Sequence, residues 1–512
     1  MKTIITPFAF LFFTSLQAQL LDHRDFYPSD FGVDSTIEFF GNQIANYSHQ
    51  ENDSLQYVII SANTYKSDTT DYIKGGLFIG GFDDFGELKY TTDLTQKIQT
   101  LLPSNIDLSI YFRYGIDSAG DINNDGINDI VLGNPRFPIH NLLPNDHLTF
   151  VYMNENFSPD SVKILNGIDI GFTNTDDFGF NVKNIGDLDN NGYEDLAIAL
   201  PGFSKGDTID VKNGAIAILF MDKNAQVLKT TQIENITTNI STIGWGFGTG
   251  LNGNLDMNND GNKDIIVGTP HGTEFGNVSI YYLDSNQNVL FTAVIDNTTL
   301  PEEIFEDDDH FGQAISSPGD LNNDSIPELL ISMHWSESGT HHAGKLFVIS
   351  LDKNGNVLDF AEVFDQQLED DFLEYDDHFG RDITVLNDFN NDGFGEILAS
   401  IDDDINDTRG KLRLIYTDYD YLLGASSNLN DLTHIKISYE IYPNPSTDII
   451  NVKSKELINQ RFKIVNSLGI NVMTGYLDVN QSINVNHLAS GHYYLVLIDN
   501  EQEESIAKFI KQ

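Results

Sequence analysis

Apolar residues along this chain fall in short runs bounded by Gly, Asn and Asp, and the three-and-four spacing of an amphipathic helix is nearly absent. Alternating stretches such as AIAILF after Gly214, NVSIYY after Gly276, KLFVIS after Gly344 and KLRLIY after Gly410 read as β-strands, since residues two apart share one face of a strand. Ile130-Val131-Leu132, Leu196-Ala197-Ile198 and Ile265-Ile266-Val267 read the same way.

These strands recur in a fixed frame. Five acidic segments, DINNDGIND (Asp121 to Asp129), DLDNNGYED (Asp187 to Asp195), DMNNDGNKD (Asp256 to Asp264), DLNNDSIPE (Asp320 to Glu328) and DFNNDGFGE (Asp388 to Glu396), begin 66, 69, 64 and 68 residues apart. Nine residues ahead of each first Asp stands a Phe, usually followed by Gly: Phe112-Arg113, Phe178-Gly179, Phe247-Gly248, Phe311-Gly312 and Phe379-Gly380. The register also fits Phe40-Gly41, where the acidic segment has become HQENDSLQY (His49 to Tyr57), which makes six units. A unit of about 66 residues has room for four strands of five or six residues with long loops. Closing such units into a ring removes exposed sheet edges. The expected fold is all-β: a β-propeller of six four-stranded blades within residues 19–430, or seven if residues 20–39 and 418–436 supply strands of their own.

Each acidic segment places oxygen-bearing side chains at positions 1, 3, 5 and 9, with Gly or Ser at position 6 for the sharp turn that folds them around one point. The candidate ligands are Asp121, Asn123, Asp125 and Asp129; Asp187, Asp189, Asn191 and Asp195; Asp256, Asn258, Asp260 and Asp264; Asp320, Asn322, Asp324 and Glu328; and Asp388, Asn390, Asp392 and Glu396. Position 7 adds a backbone carbonyl from Ile127, Tyr193, Asn262, Ile326 and Phe394. Such all-oxygen sets of six or seven suit Ca2+ at about five sites, whereas Mg2+ takes fewer protein ligands and Zn2+ would want His or Cys. The loop at His49 lacks the first acid and carries Tyr57 at position 9, so no metal is expected there. Extracellular calcium modules bind at about 0.1–1 mM, which points to a structural role for the ion.

Charge and composition add the setting. Asp and Glu number 77 against 28 Lys and Arg, a net charge of −49, which excludes nucleic acid as a partner and disfavours an anionic membrane. The five loops hold 16 of those 77 acids, so calcium explains where the most regular acids lie but not most of the charge. Lys2, an apolar run from Ile4 to Leu16 and small residues around Ala18 read as a secretory signal over residues 1–18. No later stretch is apolar enough for a transmembrane helix in the mature chain. The chain has no cysteine, so an exported fold must rely on its core, ring closure or metal.

The units, Phe-Gly followed by the acidic loop and an apolar strand, resemble FG-GAP repeats, which build the N-terminal β-propeller of integrin α chains and related bacterial surface proteins. The resemblance covers roughly residues 30–430 and implies calcium loops at the blade edges of one face, and adhesion or ligand binding as the role. Arg113 departs from the Phe-Gly pattern, and the Gly-Ala-Pro element survives loosely as Gly133-Asn134-Pro135 and Gly268-Thr269-Pro270.

After GASSNLNDL (Gly424 to Leu432), a linker by composition, the acidity vanishes: residues 437–512 carry eight acids and six bases. Short alternating strands there predict a small β-sandwich. Tyr442-Pro443-Asn444-Pro445-Ser446, the strand and turn from Ile464 to Gly469, the stretch from Leu488 to Tyr494 and the terminal Lys508 to Lys511 closely resemble the C-terminal sorting domain of type IX secretion substrates. That resemblance implies the type IX secretion machinery as a partner and a secreted or outer-membrane surface-attached protein of a Gram-negative bacterium.

No catalytic residue stands out: there is no G-x-S-x-G elbow, H-E-x-x-H, phosphate-binding Gly loop or cysteine. His334, His341 and His342 around Trp335 read as a solvated loop, with a transition metal or substrate as the other reading. Asp176-Asp177, Asp307-Asp308-Asp309 and Asp376-Asp377 read as a shared solvated or cation-attracting loop, and Lys205-Gly206-Asp207 as a chance tripeptide. The expected function is a non-enzymatic, calcium-binding propeller for an extracellular glycan or protein ligand. The alternative is a secreted polysaccharide- or lipid-degrading enzyme on the same fold.

Overall fold

A computed structural model of the chain describes residues 16–17, 20–33, 39–48, 55–63, 75–104, 106, 114–135, 145–204, 213–235, 246–271, 275–301, 304–306, 309–336, 342–363, 377–389, 394–402, 410–417, 440–442, 446, 449–453, 461–466, 471–477, 482–486, 488, 491–498 and 504–511. It divides into two compact units, Met1–Tyr419 and Asp420–Gln512.

The first unit is a six-bladed β-propeller. Blade 1 is Phe40–Tyr47, Gln56–Ala62, Gly76–Phe82 and Leu88–Asp93; blade 2 is Ile116–Gly120, Asp129–Asn134, His147–Met153 and Pro159–Asn166. Blade 3 is Val182–Asn184, Leu196–Leu200, Ala215–Asp222 and Gln226–Glu234; blade 4 is Leu251–Leu255, Asp264–Thr269, Asn277–Leu283 and Val289–Ile295. Blade 5 is Phe311–Gly319, Glu328–Met333, Lys345–Leu351 and Val357–Glu362. In blade 6, Ile383–Val385, Ile397–Ile401 and Lys411–Thr417 are completed by Leu20–Phe26, which pairs antiparallel with Lys411–Thr417. Residues 20–26, part of what a seventh blade would have needed, thus close the sixth instead, so the first and last segments of the ring share one sheet, while 418–436 lie outside the described residues. Leu16–Gln17 adds a short parallel pairing to Ala361–Glu362 of blade 5; the rest of the apolar N-terminal run lies outside the described residues, as does the linker expected at Gly424 to Leu432.

The hydrophobic cores lie between blades. Val131 and Phe150 of blade 2 pack with Leu196, Ile198 and Leu219 of blade 3, Ile216 and Ile218 with Ile265 and Tyr281 of blade 4, and Phe26, Leu398 and Leu414 of blade 6 with Phe40, Val58 and Phe78 of blade 1. This sandwiching explains why the central strands are apolar on both faces.

The Phe-Gly element fastens one blade to the one before it. Phe40, Phe178, Phe247, Phe311 and Phe379 are all buried. Phe311 N–H donates to Phe275 O and Phe379 N–H to Ala343 O, each acceptor belonging to the preceding blade's approach to its third strand. The Gly that follows has positive φ, +90° at Gly312, where an added Cβ would lie 2.8 Å from Asn277 O. No other residue fits that close approach without strain. Phe112 and Arg113 lie outside the described residues.

The second unit holds two antiparallel sheets. One is Glu440–Tyr442, Ile449–Lys453 and Ser482–Asn484; the other is Asn471–Tyr476, Arg461–Asn466, Gly491–Ile498 and Glu504–Lys511. Ile450, Val452 and Ile483 from the first pack against Phe462, Ile464, Tyr493 and Leu495 from the second, forming a small sandwich.

Candidate functional site

Each acidic loop joins the first and second strands of its blade, so all of them lie at one end of the propeller. Their shape comes from local chemistry. Asp121 accepts hydrogen bonds from Asp125 N (2.8 Å) and Gly126 N (2.8 Å), Asn123 Oδ1 accepts from Asp125 N (2.9 Å), and Asp125 Oδ1 accepts from Ile127 N (2.9 Å). The same bonds recur around Asp187 and Asn191, Asp256 and Asp260, and Asp320 and Asp324. Two positions are left-handed: position 6, at Gly126, Gly192, Gly261 and Ser325, and position 4, at Asn124, Asn190, Asn259 and Asn323. An Asn at position 4 of all five loops was the sequence signal for the second of these, because Asn tolerates that region best after Gly. In the fifth loop Asp388, Phe394 and Glu396 are described, while Asn390 and Asp392 lie outside the described residues.

The position-9 acid behaves differently from positions 1, 3 and 5. Asp129, Asp195, Asp264, Glu328 and Glu396 are all buried, at most 1% exposed. Asp129, Asp195 and Asp264 each accept a backbone N–H from the end of the third strand, at Met153 (2.9 Å), Met221 (2.8 Å) and Leu283 (2.9 Å). A bulge against the fourth strand falls at that residue in blades 3 and 4, between Phe220 and Met221 and between Tyr282 and Leu283; a bulge takes a residue out of the regular ladder. The second oxygen accepts the N–H of position 2, from Leu188 (2.9 Å), Met257 (2.8 Å), Leu321 (2.7 Å) and Phe389 (2.7 Å). Position 2 is apolar in every loop, and Ile122 and Met257 insert fully into the cores between blades. That anchor went unread in the sequence, although an apolar residue inside each acidic run was its mark. Ile127 and Ile326 at position 7 likewise bury their side chains in a core.

Burial, reinforced by the neighbouring carboxylates, raises the proton affinity of the position-9 acids. Burial, with Asp125 and Asp121 adding to it, pushes Asp129 up to about 7. Burial likewise takes Asp195 to about 6, Asp264 to about 7 and Glu328 to about 7. Asp187, Asp189 and Asp195 bring carboxylate oxygens within 4.8 Å of one another, and Asp129 Oδ2 is buried with no hydrogen-bond partner. Clustered oxygen donors with an unsatisfied buried carboxylate fit a hard divalent cation. In the fourth loop, Glu328 Oε1 accepts Asn322 Nδ2 at 2.8 Å, so the Asn322 amide is turned toward the acid while its Oδ1 accepts Asp324 N. In blade 1, residues 49–54 lie outside the described residues, and Tyr57 fills the position-9 place with a buried ring 4.5 Å from Phe157.

The opposite end of the propeller corrects two expectations. His334 is not in a solvated loop: it is 3% exposed, and His310 8%, and the rings of His310, Trp335 and His378 pack against it. Ring centroids run His271–His310 4.1 Å, His310–His334 5.1 Å, His334–His378 6.2 Å and His342–His378 5.9 Å. Trp335 stacks on His378 at 5.6 Å and lies 4.7 Å from His310. Burial, then neighbouring imidazoles, lowers His310 to about 3, and burial holds His334 well below its ordinary value. The acids before Phe-Gly are not a solvated loop either. Asp176, Asp309 and Asp377 are buried, and Asp176 Oδ2 and Asp309 Oδ2 each accept a backbone N–H three residues back, from Thr173 and Glu306 at 2.6 Å. They cap the turn that leads into the left-handed residue before Phe, at Asp177, His310 and His378. Asp307, Asp308, Asp376, His341 and Lys205-Gly206-Asp207 lie outside the described residues.

Six blades with Phe-Gly fasteners and acidic loops between first and second strands define an integrin α-like propeller. The FG-GAP repeat model matches residues 114–152, within blade 2, and the model for the secretion system C-terminal sorting domain matches residues 440–512. The chain is similar to integrin alpha-4 of Xenopus laevis (32% identical over 166 residues, 31% of this chain and 14% of that one) and to human integrin alpha-6 (32% over 181 residues, 34% and 14%). Integrin alpha-8 of Mus musculus is 27% identical over 222 residues, 42% of this chain and 20% of its own. The chain thus spans a fifth or less of the length of these relatives. The chain carries an FG-GAP repeat within its six-bladed propeller and a secretion system C-terminal sorting domain, and so is a secreted or surface-attached protein. Among the described residues no helix is long and apolar enough to cross a membrane.

Proposed function

We propose that this propeller is a calcium-stabilised module on the surface of a Gram-negative bacterium, binding an extracellular glycan or protein without catalysing a reaction. Calcium would be held by the side-chain oxygens of positions 1, 3 and 5, by the position-9 acid and by the position-7 carbonyl; it supplies charge neutralisation and cross-linking, not chemistry. The observation that supports this reading most is the asymmetry of the two ends. At the acidic end the described turns between third and fourth strands are short, five residues at 83–87, 154–158, 284–288 and 352–356 and three at 223–225. At the other end the intervals between strands are longer and unequal, 94–115, 135–146, 201–214, 235–250 and 363–382, and outside the Phe-Gly element their sequences do not repeat. Loops freed from the repeat are where a rigid scaffold carries recognition. The net charge of −49 favours a neutral or cationic ligand. A glycan array and a hydrolysis screen on the mature protein in Ca2+ test the proposal: saturable binding without turnover is expected, and product formation from a polysaccharide or lipid would replace it with the enzyme reading.

A further inference from the structure

A row of imidazoles at the loop end ties three blades together. His271 follows the second strand of blade 4, His310 leads into blade 5, His334 and His342 flank the interval between the second and third strands of blade 5, and His378 leads into blade 6. Each ring touches the next, from His271 through His310, His334 and His378 to His342. Trp335 stands among them, 4.7 Å from His310, 5.0 Å from His342 and stacked on His378. His310, His342 and His378 hold positive φ, at +60°, +50° and +46°, a conformation that a residue other than glycine keeps only where its surroundings impose it. His310 Nδ1 and His334 Nδ1 are buried with no hydrogen-bond partner. A proton on either ring would put a buried charge beside a second imidazole, which such surroundings disfavour. We propose that this row is an acid-released latch: neutral, it packs the approaches to blades 5 and 6 around Trp335, and protonation lets them part.

Three backbone hydrogen bonds mark what the latch holds. Phe311 N–H donates to Phe275 O at 2.9 Å, His378 N–H to His342 O at 3.0 Å and Phe379 N–H to Ala343 O at 2.9 Å. Each fastens an approach to the blade before it, and each donor is a ring of the row or its neighbour in sequence. Burial and the neighbouring imidazoles lower His310 to about 3, and burial with Arg381 holds His334 well below its ordinary value. A histidine that binds its proton less well closed than open favours the closed form above about pH 6.5 and loses that advantage as the pH falls. At pH 5 each of these two rings favours opening by about 30-fold, and the pair by about 1000-fold. Asp309 works against them: burial raises it to about 6, which favours the closed form by about tenfold at pH 5. Glu306 pushes Asp309 up and Lys345 pushes it down. Arg381, 3.5 Å from Asp402, disfavours charge on both buried rings, and Asp377 is buried next in sequence to His378. The balance at pH 5 is about 100-fold toward opening. Its bearing on recognition by the loop end rests on the proposed ligand binding, whereas the latch itself needs no ligand.

Hydrogen exchange of the full chain in saturating Ca2+, with no ligand added, tests this. The protection factors of the Phe311, His378 and Phe379 amides should fall by about 100-fold between pH 7.5 and pH 5. They should stay below those of Ile130 to Leu132 in blade 2 throughout, which marks the opening as local. Two variants carry opposite signs. His310→Asn should cut the fall to about threefold, and Asp309→Asn, which removes the opposing acid, should deepen it to about 1000-fold. The wild-type profile decides the matter if either variant fails to fold. Protection at these amides that does not change with pH, that equals the protection of blade 2, or that falls as steeply in His310→Asn as in the wild type would overturn the latch and leave the rings as packing for Trp335.

Discussion

Arg413 and Asp25, 388 residues apart, form a two-pronged ion pair, with Nε donating to Oδ1 at 2.6 Å and Nη2 to Oδ2 at 2.8 Å. Arg413 lies on the third strand of blade 6 and Asp25 on the fourth, so the pair sits on the seam where the start of the ring meets its end. Lys411 adds a second cation 3.3 Å from Asp25. Burial alone would raise the Asp25 carboxyl, but Arg413 and Lys411 more than offset this and hold it below its ordinary value. Asp25→Asn leaves the buried guanidinium without its counter-ion, which should lower stability by about 3 kcal/mol in denaturant unfolding. Deleting residues 20–26 should do far more, because blade 6 then exposes a strand edge and the core shared with blade 1 loses Phe26. A cooperative, wild-type transition in that truncation would show that the ring does not depend on its seam.

Chelation should destabilise the propeller strongly. At free Ca2+ about ten times the dissociation constant, each loop adds about 1.4 kcal/mol, so five add on the order of 7 kcal/mol. The melting temperature should fall by roughly 10 °C on addition of EDTA and return with Ca2+. Asp125→Ala should remove only a fraction of this, since the other loops are unaffected. A melting temperature indifferent to chelator would exclude a structural role for the ion.

The calcium-free protein should be acid-tolerant in an unusual direction. Asp129, Asp264 and Glu328 are pushed up to about 7, and Asp195 to about 6, above their unfolded values near 4. A raised carboxyl pKa means that the folded state binds protons more tightly than the unfolded one, so its contribution to stability is complete below pH 4 and is lost as pH rises through 6 to 7. In EDTA, melting at pH 5 should therefore exceed melting at pH 8. In Ca2+ the difference should shrink or reverse, because the ion favours the ionised acids. Equal pH dependence with and without Ca2+ would separate these acids from the ion.

Ser325 is the one non-glycine among the described position-6 residues, at φ +74°. A Cβ built on Gly192 or Gly261 meets nothing within 4 Å, so glycine is favoured there by backbone angle alone. Ser325→Gly should therefore stabilise the fourth loop by up to about 1 kcal/mol, less the entropy that glycine adds to the unfolded chain. Gly312→Ala should act in the opposite sense, by about 2 kcal/mol or more, since it combines positive φ with a contact 2.8 Å from Asn277 O. Thermal unfolding of the two variants side by side checks both signs.

Much of the ring was legible because it repeats. The spacing of Asp121, Asp187, Asp256, Asp320 and Asp388, with Phe40-Gly41, gave six units and left six or seven blades open, and the Asx-rich order within each loop marked the oxygens of positions 1, 3 and 5, whose described hydrogen bonds join residues two to five apart. The position-9 acid was legible as an acid but not as a buried one, because beside the local N–H of position 2 it is held by a second N–H from the far end of the third strand, at Met153, Met221 and Leu283. The partner of Leu20–Phe26 was not legible at all, since no local pattern links it to a strand near residue 414.

By itself, then, the sequence determined the repeating blade, the oxygen-rich loops and the sorting domain, all of which rest on contacts within a few tens of residues and recur often enough to be counted. How the ring closes, through Arg413 and Asp25, and that five histidines from blades 4, 5 and 6 line up in ring contact around Trp335, came from the tertiary structure alone. Those features break the repeat, and chain segments far apart in sequence meet only once inter-blade packing has fixed the angle between neighbouring sheets.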